Sequence, residues 1–589
     1  MIKGFFHKLL VVDLSRKTFS EEAIEDELLH RTMGGKGLAT HLLLERNPPG
    51  VDPLSPESNL ILALGAASDS PVYGSCRHGI FAKSPQTGLF GESYSGGRLA
   101  IPMSRCGFDA MVIHGSSATP VWLEISDGGV VFNDATDLWG QDTFATEKAI
   151  KERVDAKRPG IMVIGPAGEN RVRFAVVKND GWRVAGRTGM GAVFGAKNLK
   201  GIAFYGSQKR PFADPEGLKA YARETLKTFK DHPATQNYRS KGTPSMVEVM
   251  NKAGAFPNRY WSRGVMPGWE KISAEAIKAS CQPKPHACQT CFMACGKRVE
   301  LQGGRHAGLV LEGPEYETIY AFGGLCLIDS IEEIIYLNDL CDRLGVDTIS
   351  TGNLVALAIE AARRGRIDMA IDYGQPEQAA KLVRDIAARQ GTGKLLAEGI
   401  KRASRHLDLD DIAVHVKGLE PAGYEPRKLK GMGLAYAVSD RGACHLRSTF
   451  YKAELSKMIE PDEMNGKAEM FIDFENRCTL FDSLILCRFY RDFYDWNVLA
   501  RIYSLTTGLS FTKADLKELA ESITADARRF NLREGLTPDD DRLSQRLMTE
   551  AIEDGNRLTD DDLQWMIRDY FQLKGWGPDG IPPASEQTA

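Results

Sequence analysis

Three cysteines on one short stretch place the strongest constraint on how this chain can fold. The stretch reads Cys288-Gln-Thr-Cys291-Phe-Met-Ala-Cys295, and a further cysteine, Cys487, lies far downstream. Thiolates are soft ligands, and three on a tight loop with a fourth from elsewhere suit a [4Fe–4S] cluster. The fold must then bring the two segments together. From spacing alone, a zinc site or buried free cysteines remain alternatives.

The composition is that of a globular protein kept in a reducing compartment. Of the 589 residues, 43% are hydrophobic and 26% charged, and the net charge of −4 gives no general attraction to nucleic acid or anionic lipid. Eleven cysteines are too few for a disulfide scaffold. We find no signal peptide and no apolar run of about 20 residues. We therefore expect a cytoplasmic protein with no nucleic-acid partner and no transmembrane segment.

The secondary-structure pattern predicts an α+β chain in three parts. Residues 1–207 read as β-rich, and residues 208–415 and 416–589 read as mainly helical. The predicted strands are short apolar runs bounded by Gly, Pro, Asp or Ser: Leu9–Leu14, Leu60–Leu64, Ala110–His114, Val121–Ile125 and Gly160–Ile164. Apolar residues at helical spacing predict a helix over 331–344 that ends at Gly345.

Two six-residue frames share one pattern. Asp342-Arg-Leu-Gly-Val-Asp347 and Asp482-Ser-Leu-Ile-Leu-Cys487 each begin with Asp and end, five residues later, in a ligand or hydrogen-bond acceptor. Asp342 falls in the last turn of its predicted helix, where the helix dipole disfavours a negative charge. A donor-rich ligand would compensate for this, whereas a solvated Asp at a helix end is the alternative.

A glycine- and arginine-rich constellation suits a cofactor that carries phosphate. It comprises the runs 76–88, 93–97 and 183–195. Backbone amides in such turns can approach a phosphate closely, and guanidinium groups bind it with two hydrogen bonds. The spacing matches neither a P-loop nor a dinucleotide fingerprint, so ordinary turns remain the alternative.

A third constellation offers acid–base chemistry. Glu312, Glu315 and Glu317 lie within six residues, and His445 lies between Arg441 and Arg447. A carboxylate with an imidazole is a common general acid–base pair. An acidic surface turn and a packed histidine are the alternative reading.

Together these motifs resemble the aldehyde:ferredoxin oxidoreductase family of tungsten enzymes. The likeness covers nearly the whole chain and includes Gly34-Gly-Lys-Gly37, Lys83-Ser-Pro-Gln-Thr-Gly88, Gly186-Arg-Thr-Gly-Met-Gly191 and Leu573-Lys-Gly-Trp576, besides the cysteine stretch and both Asp frames. It implies a β-rich base and two helical domains that close over tungsten held by two molybdopterins. A Mg²⁺ ion would bridge the pterin phosphates, and one [4Fe–4S] cluster would lie beside one pterin.

The resemblance assigns roles residue by residue. The cluster ligands would be Cys288, Cys291, Cys295 and Cys487. Asp342 and Asp347 would hydrogen-bond one pterin and Asp482 the other, with backbone groups from Val346 and Leu486. The phosphate and magnesium cradle would comprise Arg77, Tyr94 (where the family often has Asn), Gly96, Arg183, Val184, Gly186 and Arg187, with further basic contacts from Arg441 and Arg447.

The resemblance also implies the reaction and the partners. Aldehydes would be oxidised to carboxylic acids, with Glu317 as base (Glu315 and Glu312 being fallback positions) and His445 as hydrogen-bond donor to the carbonyl oxygen. Electrons would leave through the cluster to ferredoxin or an iron–sulfur partner subunit, within a homo- or hetero-oligomer.

Two other functions stay open at this point. A related benzoyl-CoA-type reductase would use a cysteine as metal ligand, with Cys326 and Cys444 as candidates. An electron-transfer subunit would hold the cluster alone. Molybdenum in place of tungsten is compatible with the same residues.

Overall fold

The computed structural model describes residues 1–584, so the last five residues of the predicted region 416–589 lie outside the described chain. Two six-stranded sheets occupy the N-terminal region, and helices dominate the rest. The predicted α+β class, with a β-rich region followed by helical regions, is confirmed. Among the described residues no helix is long and apolar enough to cross a membrane.

The two N-terminal sheets are mixed. Their strands are β1 (Lys8–Asp13), β2 (Thr18–Ala23), β3 (Leu60–Ala63), β4 (His78–Lys83), β5 (Phe90–Ser95), β6 (Ala110–His114), β7 (Val121–Ser126), β8 (Gly129–Asp134), β9 (Gly160–Val163), β10 (Val177–Asn179), β11 (Arg183–Ala185) and β12 (Leu199–Phe204). The orders are β2-β1-β6-β3-β4-β5 and β11-β10-β9-β12-β7-β8. All five predicted apolar runs form strands, and β3 and β9 are buried along their whole length.

The helices follow in chain order. Those of the N-terminal region are α1 (Asp26–Thr32), α2 (Gly35–Arg46), α3 (Ala100–Ser104), α4 (Thr143–Arg153), α5 (Pro166–Glu169) and α6 (Met190–Ala196). Those up to residue 415 are α7 (Pro215–Phe229), α8 (Pro233–Lys241), α9 (Ser245–Lys252), α10 (Ala274–Cys281), α11 (Tyr316–Thr318), α12 (Ile331–Leu344), α13 (Thr348–Arg363), α14 (Pro376–Ala388), α15 (Gly391–Leu396) and α16 (Ile400–Leu407). The remainder are α17 (Lys430–Val438), α18 (Tyr451–Leu455), α19 (Lys467–Leu484), α20 (Trp496–Thr507), α21 (Lys513–Arg533), α22 (Gln545–Thr549) and α23 (Asp560–Leu573).

The predicted helix over 331–344 is confirmed as α12. Ser330 accepts a hydrogen bond from the Glu333 backbone at its start, and Gly345 ends it with φ 77°. This left-handed conformation is one that glycine adopts without a steric cost. The division into three domains is not resolved further by these elements and stays a prediction.

A small three-stranded sheet within the second region was not predicted. It comprises β13 (Lys284–His286), β14 (Gly296–Glu300) and β15 (Val310–Glu312), in that order. His286 pairs with Gly296, so the cysteine stretch is the loop of an antiparallel hairpin. The sequence signal is weak because β13 is three residues long and has no apolar side chain except a proline.

Glycines let the N-terminal region touch both Asp frames closely. A Cβ atom on Gly35 would lie 2.3 Å from the Ser483 carbonyl oxygen, and one on Gly65 would lie equally close to Leu484. On the other side, a Cβ on Gly165 would lie 2.5 Å from the Leu344 carbonyl oxygen. Backbone-to-backbone contact of this kind excludes any side chain. The β-rich region therefore supports both frames directly.

Candidate functional site

A cavity of about 620 Å³ collects most of the predicted site residues. It lies between the N-terminal sheets and the two helical regions. The predicted residues that line it are Arg77, Tyr94, Val184, Gly186, Arg187, Glu317, Asp347, His445, Arg441, Arg447, Asp482, Leu486 and Cys487. Residues separated by hundreds of positions thus meet at one place.

The predicted catalytic pair meets in this cavity. Nε2 of His445 lies 3.4 Å from Oε1 of Glu317, while Oε2 of Glu317 accepts a hydrogen bond of 2.9 Å from the Gly423 backbone. Burial raises the pKa of Glu317 to about 8. Burial, followed by the charge of Arg187, lowers the pKa of His445 well below its ordinary value. At neutral pH the pair is therefore a carboxylic acid beside a neutral imidazole.

The other two glutamates face different surroundings. Glu315 lines the cavity but its carboxylate accepts a hydrogen bond from the Thr243 hydroxyl. Glu312 lies 2.5 Å from Arg183 and 3.0 Å from Nδ1 of His286, at the base of the cysteine hairpin. Of the three candidates, Glu317 is the one that contacts His445. Its catalytic role stays a prediction.

Both Asp frames terminate a helix in the same way. Asp342 and Asp482 lie in the last turns of α12 and α19, and the left-handed residues Gly345 and Ile485 follow. The next backbone N–H in each frame turns back to the helix: Val346 donates to Cys341 and Leu486 to Phe481. The two frames therefore form similar helix C-terminal turns beside the cavity, one in each helical region.

The acidic groups of the first frame are held by cations and by helix amides. Lys178 Nζ lies 3.0 Å from Asp342, which also accepts a hydrogen bond from Asn338. Burial raises the pKa of Asp342 to about 6, against the lowering effect of Lys178. Asp347 caps α13 by accepting from Ser350 and lies 3.1 Å from Arg187. The compensation expected for Asp342 thus comes from Lys178, which the sequence reading did not single out.

The second frame lies in a buried network of charges. Asp482 is 2.6 Å from Arg447 and 2.5 Å from Arg488. Glu92 forms ion pairs with Arg447 and Lys36 and accepts a hydrogen bond from the Tyr94 hydroxyl. Because of Arg447 and Lys36, the pKa of Glu92 is lowered even though burial alone would raise it. The Tyr94 hydroxyl donates to Glu92 while Tyr94 lines the cavity, and its place in the phosphate and magnesium cradle stays a prediction.

Several guanidinium groups in the cavity keep unused donors. Within residues 1–584, Nη1 of Arg187, Nε of Arg441 and Nε of Arg447 are buried without a hydrogen-bond partner. Arg187 is anchored through Nη2 to the Glu420 carbonyl, and Arg441 through Nη1 to the Glu92 carbonyl. Unpaired buried cationic donors are costly unless an anionic ligand meets them. This donor set fits a group that carries phosphates.

The four predicted cluster thiols come from two segments that are tied together. Gly74 accepts a hydrogen bond from Cys487 N (2.9 Å) and donates one to the Thr290 carbonyl (3.1 Å), inside the cysteine loop. The Tyr490 hydroxyl bridges the Phe292 backbone and Cys291 Sγ. Burial and the neighbouring Cys487 raise the pKa of Cys291 to about 11. Distant thiols are thus gathered at one site, which fits a cluster of several iron atoms.

Among the described residues, no three His, Cys, Asp or Glu side chains converge on a point that one metal ion could fill. The assignment of the four thiols to a cluster stays a prediction.

A fifth cysteine lies at this place. The buried thiol of Cys76 hydrogen-bonds to Cys288, which raises the pKa of Cys76 and lowers that of Cys288 to about 6. The two thiols therefore lie side by side and titrate as a pair. Cys76 precedes Arg77 in the glycine- and arginine-rich run, but nothing in that spacing relates it to residue 288.

Four predicted cofactor residues lie behind the cavity wall. A Cβ on Gly96 would come within 3.0 Å of Cys288 Sγ, and Arg183 pairs with Glu312. Val346 forms a β-bridge with Ala175, and Asp342 faces Lys178. Gly96 and Arg183 therefore lie on the side of the cysteine loop, and the other two on the side of the first frame.

The two cysteines considered as metal ligands are not among the residues that line the cavity. Cys326 is packed in the helical core and contacts the carbonyls of Ala321 and Gly352. Cys444 precedes His445, but its sulfur accepts hydrogen bonds from Arg441 Nη2 and the Leu446 backbone. Neither thiol is placed as a free ligand in this structure.

Comparisons with known proteins agree with this architecture. Residues 9–206 match the family model described as aldehyde ferredoxin oxidoreductase, N-terminal domain, and residues 220–588 match the model of its domains 2 and 3. The chain is 35% identical to the tungsten-containing aldehyde ferredoxin oxidoreductase of Pyrococcus furiosus, over 98% of each chain. It is 31% identical to the WOR-like subunit of an aliphatic sulfonate oxidoreductase from the same organism, over 74% of each chain.

A solved structure shares the fold. It is the active-site complex BamBC of benzoyl coenzyme A reductase with 1,5-dienoyl-CoA, with a TM-score of 0.86 and 22% identity over 100% of this chain and 97% of the other. The resemblance first indicated by the motifs is thereby confirmed. The chain belongs to the aldehyde ferredoxin oxidoreductase family.

Proposed function

We propose that this protein oxidises aldehydes to carboxylic acids and passes the electrons, through one [4Fe–4S] cluster, to ferredoxin or an iron–sulfur partner subunit. A tungsten bis-molybdopterin, with Mg²⁺ between its phosphates, would supply the two-electron oxidation when bound. Arg77, Arg187, Arg441 and Arg447 would hold its anionic groups, and the two Asp frames would hold its pterin rings. Cys288, Cys291, Cys295 and Cys487 would hold the cluster.

The observation that carries this proposal is the meeting of unlike groups in one cavity. The same cavity is lined by the Glu317–His445 pair, by residues of both Asp frames and by arginines with donors that have no partner within residues 1–584. Cys487, one of the predicted cluster ligands, also lines it. A subunit that only carried a cluster would need no catalytic pair and no phosphate-binding arginines. The arrangement therefore favours catalysis next to an electron exit.

The chain's own residues would orient the aldehyde and move its protons. A neutral His445 has one N–H, which can donate to the carbonyl oxygen where negative charge develops. Glu317, once ionised, can take a proton from water or from the aldehyde hydrate. Tyr424 stacks on the His445 ring with centroids 5.4 Å apart, which keeps the imidazole in place. The cavity is also lined by the aromatic side chains of Tyr238, Tyr451 and Phe489, which suit an apolar aldehyde.

Metal analysis and turnover test the proposal together. Purified protein should contain iron with tungsten or molybdenum, and it should reduce benzyl viologen when given benzaldehyde or acetaldehyde. Zinc as the sole metal would overturn the proposal. Iron without tungsten or molybdenum, and no turnover, would support the electron-transfer subunit instead.

The fold shared with benzoyl coenzyme A reductase supports a second candidate function only at the level of architecture. Identity to the aldehyde enzymes is higher, and neither Cys444 nor Cys326 lines the cavity. We therefore expect no reduction of benzoyl-CoA by protein that oxidises aldehydes.

A further inference from the structure

A basic groove of about 800 Å³ runs along the N-terminal region beside the cysteine loop. Five cationic side chains line it: Arg98, Arg105, Lys151, Lys157 and Arg158. All five residues are exposed. The whole chain carries a net charge of −4, so the sign of the charge in this groove is opposite to that of the protein overall.

The carboxylates in the groove do not neutralise these cations. Asp180 accepts hydrogen bonds from the backbone of Arg98 and Leu99, and Asp127 accepts from Ser207. Arg105 is paired with Asp69, 3.0 Å away. In the described part of the chain, the side chains of Arg98, Lys151, Lys157 and Arg158 have no carboxylate within ion-pair distance. The groove thus keeps an unbalanced positive charge.

The groove reaches the cysteine loop through Gln289. This residue lines the groove, is exposed and directly follows Cys288. Its backbone N–H donates to the Gly97 carbonyl (2.9 Å), next to Arg98. At Gln289 the groove therefore borders the loop that carries three of the four predicted cluster ligands. None of its lining residues lines the catalytic cavity, so an occupant would not block aldehyde entry.

We propose that this groove is the docking surface for an acidic one-electron iron–sulfur carrier. The inference rests on the proposed function, in which each aldehyde and one water yield a carboxylic acid, two protons and two electrons. Two oxidised carriers would each dock here and leave with one electron. The net charge of −4 gives an acidic protein no general attraction to this chain, whereas the groove attracts it, which raises the rate of productive encounter there.

Charge reversal at Lys157 and Arg158 tests the surface. With an acidic bacterial ferredoxin as acceptor, the K157E/R158E variant should lose about tenfold or more in kcat/KM at low salt. Binding of oxidised ferredoxin, measured by calorimetry, should weaken and lose most of its salt dependence. Benzaldehyde oxidation with benzyl viologen, a small acceptor that needs no docking surface, should stay within about twofold of wild type.

A matched control separates local from global charge. Lys394 on α15 and Arg568 on α23 are exposed and lie outside the groove. The K394E/R568E variant has the same net charge as the test variant and should retain wild-type ferredoxin kinetics and binding. An equal loss in both variants, or an unaltered K157E/R158E variant, would overturn the docking surface. Wild-type protein that gives no viologen reduction with either aldehyde would instead overturn the proposed function, whatever the binding results.

Discussion

The Glu317 carboxyl ties the proposed activity to pH. Burial raises its pKa to about 8, so the proton-accepting form is scarce at pH 7 and gains population as pH rises. We expect kcat/KM for an aldehyde to rise about tenfold per pH unit below pH 8 and to level off above it. Steady-state viologen kinetics would measure this profile. The Glu317→Gln variant should lose roughly 10²–10⁴-fold in kcat and show no such rise, whereas a flat wild-type profile would contradict the role.

His445 is the second residue that can be tested alone. Its Nδ1 is buried without a partner among the described residues, so the imidazole has a polar atom left for a ligand. The shorter side chain of His445→Asn should withdraw the donor and lower kcat by roughly 10²–10³-fold, as for other donors to a developing oxyanion. Iron and tungsten content should match wild type. Unchanged turnover with unchanged metal would reject the proposed hydrogen bond.

Cys76 should tune the cluster without binding it. Its thiol lies beside Cys288 and can donate a hydrogen bond to that sulfur when Cys288 holds the cluster, and hydrogen bonds to cluster sulfurs raise the reduction potential. A net hydrogen-bond energy of about 0.5–1.5 kcal/mol corresponds to roughly 20–60 mV for one electron. Cys76→Ala should therefore lower the midpoint potential by that amount in a titration followed by electron paramagnetic resonance, with the same iron content. Cys76→Ser, which keeps a donor, should shift it less, and a potential unchanged by the alanine would contradict the contact.

At the scale of elements, the start of α2 determines how the second Asp frame is held. Gly35 has φ 46°, and a Cβ there would overlap the Ser483 and Asp482 carbonyl oxygens at 2.3 and 2.5 Å. Gly35→Ala should destabilise the protein by roughly 2–4 kcal/mol, because it combines left-handed strain with an overpacked backbone contact. Thermal unfolding would measure the loss. Gly50→Ala is the matched control, since Gly50 has φ 72° but nothing within 4 Å, and an equal drop in both variants would show that strain alone matters.

Local patterns predicted the elements and the contiguous motifs, but not the contacts between them. The run over 331–344, the cysteine stretch and both Asp frames are each continuous in sequence, so their spacing carries the signal. Glu92, Lys178 and Cys76 have no such signal. Glu92 lies on β5 and Lys178 on β10, and their partners Arg447 and Asp342 come from other regions. Only the strand order and the docking of helices onto the sheets decide these meetings.

At the scale of the whole molecule, opposite charges are concentrated where three regions meet. Arg447 joins Glu92 of the N-terminal sheet to Asp482 of α19, and Arg187 lies between Asp347 and the Glu420 carbonyl. Buried ion pairs add little net stability because desolvation offsets their attraction. Their value here is positional, since they fix guanidinium groups at the boundary of the cavity from several elements at once.

The same boundary makes stability depend on the cofactor. Within residues 1–584, Arg187, Arg441 and Arg447 have buried N–H donors without partners, and these donors destabilise the folded protein. An anionic ligand in the cavity should remove this cost. A ligand present at a hundred times its Kd adds about 2.7 kcal/mol, which for a chain of this size corresponds to a Tm increase of roughly 2 °C. Protein produced without tungsten and pterin should therefore unfold at a lower temperature than the loaded enzyme. The Arg187→Met variant should show a smaller difference in Tm between its loaded and empty forms. The substitution weakens ligand binding and also removes an unpaired buried charge from the empty protein. If loaded and empty wild-type protein melted at the same temperature, the arginines would need no anionic partner.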